Sequence, residues 1–217
     1  MKTRFIPLAS AAVIALGTCA ATAEISATAT TDLNLRMGPG PMYKVIDVID
    51  ANEMVMVEGC VDTANWCKVM LGDQTGWSYA RYLALDADEK LALATAAEAG
   101  NVTVVEFSDN SDEQALIGGA YGAAAGALVA GPIGAIVGGF ATAAVAEATV
   151  KPEVKIYAAE NPVEPVLLNG EVVVGATIPN TVAVYSLPEY SEYAYLNVNG
   201  DTVIIDADTY EIVDIVR

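Results

Sequence analysis

A stretch without a single charged side chain, residues 115–146, places the strongest constraint on what this chain folds into. Its glycines recur at four-residue spacing in two sets, and residues four apart share one face of a helix. Such rows of glycine let another helix approach closely, and Gly131-Pro132 between the sets would break a continuous helix. The pattern predicts a helical hairpin over 115–148 that packs through five glycines, Gly118, Gly122, Gly126, Gly134 and Gly138.

The sequence is compatible with three environments for this hairpin. Each helix of about 14 to 17 residues would span roughly 21 to 26 Å, which is shorter than the roughly 30 Å hydrocarbon core of a bilayer. Because a glycine costs about 1 kcal/mol relative to alanine inside a helix, so many glycines need close packing. The hairpin is therefore predicted to associate with a membrane, to form a self-association zipper outside the bilayer, or to lie buried in a soluble core.

The first 23 residues have the three parts of an export signal. A positive start, Lys2 to Arg4, precedes an apolar run too short to span a bilayer, and a small-residue cleavage site ends at Ala23. Cleavage after Ala23 predicts export to a bacterial cell envelope, most simply to the periplasm. The alternative, lipoprotein processing at Cys19, is disfavoured because Thr18 stands where Gly, Ala or Ser is usual.

The charge balance excludes several classes of function. Ten basic residues stand against 28 acidic ones, and the formal net charge of −18 becomes −20 when Lys2 and Arg4 leave with the signal. Nucleic-acid affinity comes mainly from Lys and Arg on phosphates, so no nucleic-acid partner is expected. The chain has no His, which excludes Ser-His and Cys-His pairs and His-ligated zinc. We predict no metal, no cofactor and no enzymatic activity.

Cysteine usage agrees with export. Cys60 and Cys67 form an even pair once the signal has been removed, as expected in an oxidising compartment. They flank a turn-like segment between two strand-like runs, which predicts a disulfide across a hairpin. A redox-active pair would more often read C-x-x-C at the start of a helix.

The remaining sequence is predominantly β-like, so the predicted fold class is mainly β with a helical segment. Residues 24–85 read as short, turn-punctuated strands that suggest a small barrel, and residues 86–114 read as a linker with a short Ala-rich helix before a strand-like run, 101–107. Residues 149–217 predict a small β-rich domain that begins with a strand at 153–158. Hairpin turns are predicted at Asn169-Gly170, Asn199-Gly200 and Asp206 to Thr209.

The first β-rich region resembles the bacterial SH3-like domain family. The match lies in "LNLRMGPGPMYKVI", residues 33–46, and in "WCKVMLGDQTGWSYARYL", residues 66–83. The family reads roughly L-N-V-R-x-G-P-x-x-x-Y-x-V-I and then W-x-K-V, a short turn and G-W-V-x-x-x-Y-L. The resemblance implies an SH3-like barrel in which the glycine-rich loop folds over one end and borders a ligand groove.

The resemblance also implies which side chains to examine in that groove. Arg36 is either a structural partner of a carboxylate or of backbone carbonyls, or a ligand contact, and Trp77 is assigned to the core. Aromatic-lined grooves bind extended peptide or glycan-peptide chains at little conformational cost. The candidates for contact with such a ligand are Arg36, Tyr43, Trp66, Tyr79 and Tyr82.

Two further resemblances complete the reading. Residues 115–146 resemble the glycine-zipper hairpins of exported envelope proteins, and the tail resembles a short uncharacterised domain of exported Gram-negative proteins, carried by "VGATIP" and "YAYLNVNGDTVIID". Together they predict a non-enzymatic envelope protein that binds peptidoglycan or an envelope protein through its barrel. Its hairpin would serve membrane association or homo-oligomerisation. The alternative is a structural, self-assembling protein without a specific ligand.

Overall fold

The computed structural model of the protein describes residues 25–63, 65–86, 91–107, 128–134 and 150–217. The predicted signal segment with Cys19, and four of the five zipper glycines, Gly118, Gly122, Gly126 and Gly138, lie outside these residues. Among the described residues, no helix combines the length and the apolar character that crossing a bilayer requires.

The N-terminal half folds into an eight-stranded sheet whose order is β3-β2-β6-β5-β4-β1-β7-β8. Side chains alternate along β4, where Val55 and Val57 are buried while Met54 is exposed, as a sheet with one face on the core requires. A 3-10 turn, Ala80–Tyr82, follows β6, and a short helix, α1, follows β8. The strands are β1 Ile25–Ala29, β2 Leu33–Arg36, β3 Val45–Ile49, β4 Met54–Cys60, β5 Trp66–Leu71, β6 Gln74–Tyr79, β7 Leu83–Asp86 and β8 Leu91–Ala92, and α1 is Leu93–Glu98.

The predicted disulfide is confirmed. Cys60 ends β4 directly opposite Cys67 in β5, and their sulfurs are bonded. The strand predicted at 101–107 is wrong, because Val104 alone makes a bridge, to Cys60. The Cys60 N–H donates to the Thr103 carbonyl, and the Cys60 carbonyl accepts from the Val105 N–H. Since β4 ends at Cys60, this pairing does not extend further along the strand.

The C-terminal half folds around a second sheet of order β14-β13-β12-β10-β9, with β11 paired to β12. The hairpin predicted at Asn199-Gly200 is confirmed, since Val198 pairs with Asp201 and both turn residues have positive φ, 53° and 92°. The hairpin predicted at Asp206 to Thr209 is confirmed as well. The elements are β9 Leu128–Pro132, α2 Pro152–Glu160, β10 Pro165–Asn169, β11 Tyr185–Ser186, β12 Tyr193–Val198, β13 Asp201–Asp206 and β14 Ile212–Val216.

Two local predictions in this half are wrong. Residues 153–158 belong to helix α2 rather than to a strand, because Pro152 occupies its first turn and the fully buried Val154 and Ala158 stand four apart on one face. Asn169-Gly170 does not make a hairpin either. β10 pairs in parallel with both β9 and β12, so the chain cannot turn back on itself and leaves the sheet at Gly170 with φ of 108°.

The described part of the predicted glycine hairpin is extended rather than helical. Residues 128–132 form β9 and pair with β10, so the helix predicted through residues 128–130 is wrong. Two hydrogen bonds continue the extended course: the Ile133 N–H donates to the Asn169 carbonyl at 2.8 Å and the Gly134 N–H to the Thr177 carbonyl at 2.8 Å. Among the described residues Gly134 therefore packs against Thr177, where a Cβ would collide with the Thr177 hydroxyl, rather than against a helix.

One apolar core joins the two sheets. Leu33 and Leu35 of β2 belong to the same buried cluster as Leu168 of β10, Val198 of β12 and Ile212 of β14. A core that spans both halves favours cooperative folding of the described chain, because exposing either face would expose the other. This shared core also fixes the position of the C-terminal half against the end of the barrel.

The disulfide is expected to stabilise the barrel measurably. Replacing both cysteines, Cys60→Ser with Cys67→Ser, should lower the free energy of unfolding by about 2 to 3 kcal/mol, the chain-entropy value for so short a loop. Urea unfolding followed by Trp fluorescence measures this. Reductant should lower the wild-type stability towards that of the double variant and leave the variant unchanged. Equal stability of the two proteins without reductant would contradict the prediction.

Candidate functional site

The centre of the interface between the halves is a buried ion pair. Arg36 ends β2 and Glu171 follows β10, and both side chains are 0% exposed. The Arg36 Nε donates to Glu171 Oε2 at 2.6 Å, and its Nη2 donates to Oε1 at 2.5 Å. This two-pronged geometry is the strongest that a guanidinium and a carboxylate form.

Two polar side chains extend this pair. Asp201, the first residue of β13, lies with Oδ2 3.5 Å from Arg36 Nη2. Asn34 of β2 donates from Nδ2 to Glu171 Oε1 at 3.0 Å and to Asp201 Oδ2 at 2.9 Å. The buried cluster therefore holds one guanidinium against two carboxylates.

Burial and charge act on the pKa values of this cluster in identifiable ways. For Arg36, burial lowers the pKa, but the charges of Glu171 and Asp201 and the hydrogen bond from Glu171 outweigh it, so the pKa is raised. The pKa of Asp201 is also raised, first by burial and then by Glu171, against the opposing effects of Arg36, Asn34 and Arg217. Burial thus pushes Asp201 towards its protonated form.

The glycine-rich loop after β2 encloses the Nη1 end of the guanidinium. Arg36 Nη1 donates to the carbonyl of Tyr43 at 2.9 Å and approaches those of Pro41 and Asn199 at 3.4 Å. The Tyr43 ring lies against Gly38, where a Cβ would stand 2.5 Å from a ring carbon, so only glycine permits this closure. In this structure the loop serves to surround Arg36 with carbonyls.

A cavity of about 300 Å³ opens beside this cluster, between the barrel and the C-terminal half. Tyr79 ends β6, and Arg81 and Tyr82 belong to the 3-10 turn that follows it. The opposite wall comes from residues 133–134 and from residues 169–171 at the end of β10. The cavity is therefore composite, and neither half of the chain forms it alone. Its lining residues are Tyr79, Arg81, Tyr82, Ile133, Gly134, Asn169, Gly170 and Glu171.

Three aromatic rings form a row that supports one wall of the cavity. The ring centroid of Trp66 lies 5.3 Å from that of Tyr79, which lies 5.9 Å from that of Tyr82. Trp66 and Tyr82 are buried, whereas Tyr79 is partly exposed. Burial raises the pKa of Tyr82 to about 12, which reflects how far its hydroxyl is withdrawn from water. Rings held this way present a rigid, uncharged surface.

The structure separates the five predicted groove residues into two groups. Tyr79 and Tyr82 line the cavity, and Trp66 packs behind Tyr79. Arg36 and Tyr43 lie outside it, since Arg36 is enclosed by the loop and by Glu171, and the buried Tyr43 packs edge-on against Phe107 at 5.5 Å.

Sequence reasoning missed Arg81, Asn169 and Glu171. Arg81 had a usable signal, because it stands between two predicted groove aromatics in "YARY", residues 79–82. Glu171 had none, because it lies 135 positions from its partner Arg36.

The acidic segments do not assemble a metal centre within the described part of the chain, where no group of three His, Cys, Asp or Glu side chains is suitably placed. In the turn after β13, Asp206 Oδ1 accepts hydrogen bonds from the N–H groups of Asp208 and Thr209 and from the Thr209 hydroxyl. These bonds lower the pKa of Asp206 and identify its role as shaping the turn.

Comparison with known families agrees with the two-part architecture. Residues 31–84 match the bacterial SH3 domain family, and residues 157–217 match a domain of unknown function (DUF1236), which confirms both of the corresponding resemblances. No curated protein and no solved structure is significantly similar to the chain. The Arg36–Glu171 pair and the walls of the cavity thus connect the two matched segments.

Breaking the buried ion pair is expected to destabilise the protein strongly. Glu171→Gln leaves the enclosed Arg36 guanidinium without its main counter-charge, so the free energy of unfolding should fall by about 3 kcal/mol or more. The control is Glu58→Gln, which breaks the exposed pair with Lys68 and should cost less than about 1 kcal/mol. Urea titration compares them, and equal losses for the two variants would contradict the prediction.

The raised pKa of Asp201 predicts a pH-dependent contribution to stability. Its folded-state pKa lies above the unfolded value, so the folded form holds the proton more tightly, and this contribution is present below the unfolded pKa of 3.8 and lost as pH rises through the folded pKa. Asp201→Asn cannot titrate and should gain stability relative to wild type as pH rises from 3 towards 7. Urea unfolding at each pH measures this, and a pH-independent difference would contradict it.

Proposed function

We propose, from the bacterial SH3 domain that this chain carries, that the protein is a non-enzymatic binding protein of the bacterial cell envelope. Bacterial SH3 domains are generally binding modules. The proposed ligand is an extended peptide or glycan-peptide chain, belonging to peptidoglycan or to an envelope protein. The proposed site is the composite cavity beside the Arg36 cluster.

The observation that carries this proposal is the chemistry of the cavity walls. Tyr79 and Tyr82 offer aromatic surface backed by Trp66, and Arg81 offers a guanidinium. A pocket that combines apolar rings with a few placed polar groups is the usual form of a small-ligand site. The one carboxylate in this lining, Glu171, is already bound by Arg36 and Asn34, which favours binding over catalysis.

Arg81 suggests which ligand group enters the cavity. Its side chain is exposed and makes no ion pair with any residue that the structure describes. The acidic neighbour Glu171 is already engaged by Arg36, so it leaves Arg81 free for a ligand. A carboxylate of a peptide or glycan-peptide chain is the complementary group, since a guanidinium binds it in a planar, two-pronged fashion.

The proposed location follows from the signal-like first 23 residues and agrees with the Cys60–Cys67 disulfide, which suits an oxidising compartment. A signal of this type directs export to the periplasm, where peptidoglycan is accessible. Residues 115–127 and 135–146 are proposed to take part in membrane association or in homo-oligomerisation, because their sequence is free of charge and rich in glycine.

The test is co-sedimentation of the mature protein, residues 24–217, with purified peptidoglycan sacculi. Wild type should pellet with saturable binding, and Arg81→Gln should weaken it about tenfold, the effect of losing roughly one charge-assisted hydrogen bond of 1.5 kcal/mol. Both proteins should unfold at the same temperature, because the Arg81 side chain is exposed.

Lys44→Gln is the matched control, since it removes the same charge from an exposed residue that does not line the cavity. It should bind like wild type. If wild type does not pellet, peptidoglycan is not the ligand. If Arg81→Gln and Lys44→Gln weaken binding equally, general charge rather than the cavity accounts for the interaction, and the proposed site is wrong.

A further inference from the structure

A second cavity, of about 290 Å³, lies on the C-terminal half and shares no lining residue with the first. One wall is the face of α2 that carries Glu153 and Tyr157, which stand four apart and therefore side by side. The other wall is the segment from Leu187 to Tyr190 that precedes β12. The remaining lining residues are Pro188 and Glu189.

The aromatic walls of this cavity are held in place by their neighbours. The Tyr157 ring meets the buried Tyr195 edge-on at 6.0 Å, and Tyr195 in turn meets Tyr185 at 5.9 Å. Tyr190 is itself half-buried, and its backbone N–H donates to the Leu187 carbonyl. Both rings are therefore positioned without a ligand, which lowers the entropy cost of binding one.

The structure already places a cation against this wall. The Lys151 ammonium lies 4.7 Å from the centroid of the Tyr190 ring, within the range at which a ring face attracts a positive charge. Glu153 and Glu189 add two carboxylates to the lining, and neither forms an ion pair with a residue that the structure describes. The two carboxylates outnumber the single ammonium of Lys151, so rings and carboxylates together are complementary to a further positive group and repel a negative one.

We propose that this cavity binds a cationic side chain, an arginine or lysine, from a basic peptide segment of a partner protein. Its volume lies just below the roughly 300 to 1,000 Å³ that ligand pockets span, so one long side chain fits better than a whole cofactor. The net charge of −20 that remains without Lys2 and Arg4 attracts basic partners at long range, while Tyr157 and Tyr190 receive the apolar stem of the side chain. This site is independent of the cavity at Arg81.

The experiment is an NMR titration of isotope-labelled mature protein with the peptide acetyl-Gly-Arg-Gly-amide. Saturable amide shifts are expected at residues 153–157 and 187–190. The same peptide with citrulline, a neutral analogue of arginine, should bind at least about fivefold more weakly, because it lacks the charge that the carboxylates and rings attract. Absence of saturable shifts at these residues, or equal binding of both peptides, would overturn the proposal.

The variant pair is Glu189→Gln and Glu192→Gln. Glu189 lines the cavity, whereas Glu192 is an exposed acid three positions away that does not. Glu189→Gln should weaken the arginine peptide about two- to fivefold, as one ion pair near the surface does, and Glu192→Gln should leave it unchanged. Equal effects of the two variants would show general charge attraction and exclude this cavity as the site.

Discussion

The contact on which the rest of the structure depends is the buried pair of Arg36 and Glu171. A guanidinium withdrawn completely from water is tolerated only when its N–H groups find acceptors and its charge finds a partner. Arg36 meets both conditions, with Glu171 and Asp201 on one side and the carbonyls of Tyr43, Pro41 and Asn199 on the other. The conformation of the loop after β2 and the approach of the C-terminal half both follow from that requirement.

Three of those five acceptor residues lie outside the SH3 domain. Glu171, Asp201 and the Asn199 carbonyl all belong to the C-terminal half. Asn199 is fully buried in its turn, and its side chain accepts a hydrogen bond from the Leu168 N–H. The barrel alone would leave the Arg36 charge without its carboxylates, so the two matched segments form one electrostatic unit. The same contacts fix residues 169–171 as a wall of the first cavity, which makes that cavity a property of both halves.

Features that depend on neighbouring residues were predictable from the sequence. The barrel strands, the Cys60–Cys67 disulfide and the Asn199-Gly200 turn each follow from a local pattern, and Tyr79 and Tyr82 were identified as groove candidates through the resemblance to bacterial SH3-like domains. Features decided by distant partners were not predictable. Asn169-Gly170 has a typical hairpin sequence, but parallel pairing of β10 on both sides prevents that turn. Glu171 reads as an ordinary surface acid until the fold brings it to Arg36.

The two cavities carry opposite chemistry on one strongly acidic molecule, and this makes their binding electrostatics different. A cationic side chain entering between Glu153 and Glu189 is favoured both by the local carboxylates and by the field of the whole chain. An anionic group approaching Arg81 is favoured locally but opposed by that field, which is screened over about 8 Å at physiological ionic strength. For the carboxylate ligand proposed there, short-range contacts therefore have to supply the affinity. The rings of Tyr79 and Tyr82, which line the first cavity, are the uncharged surface available for such contacts.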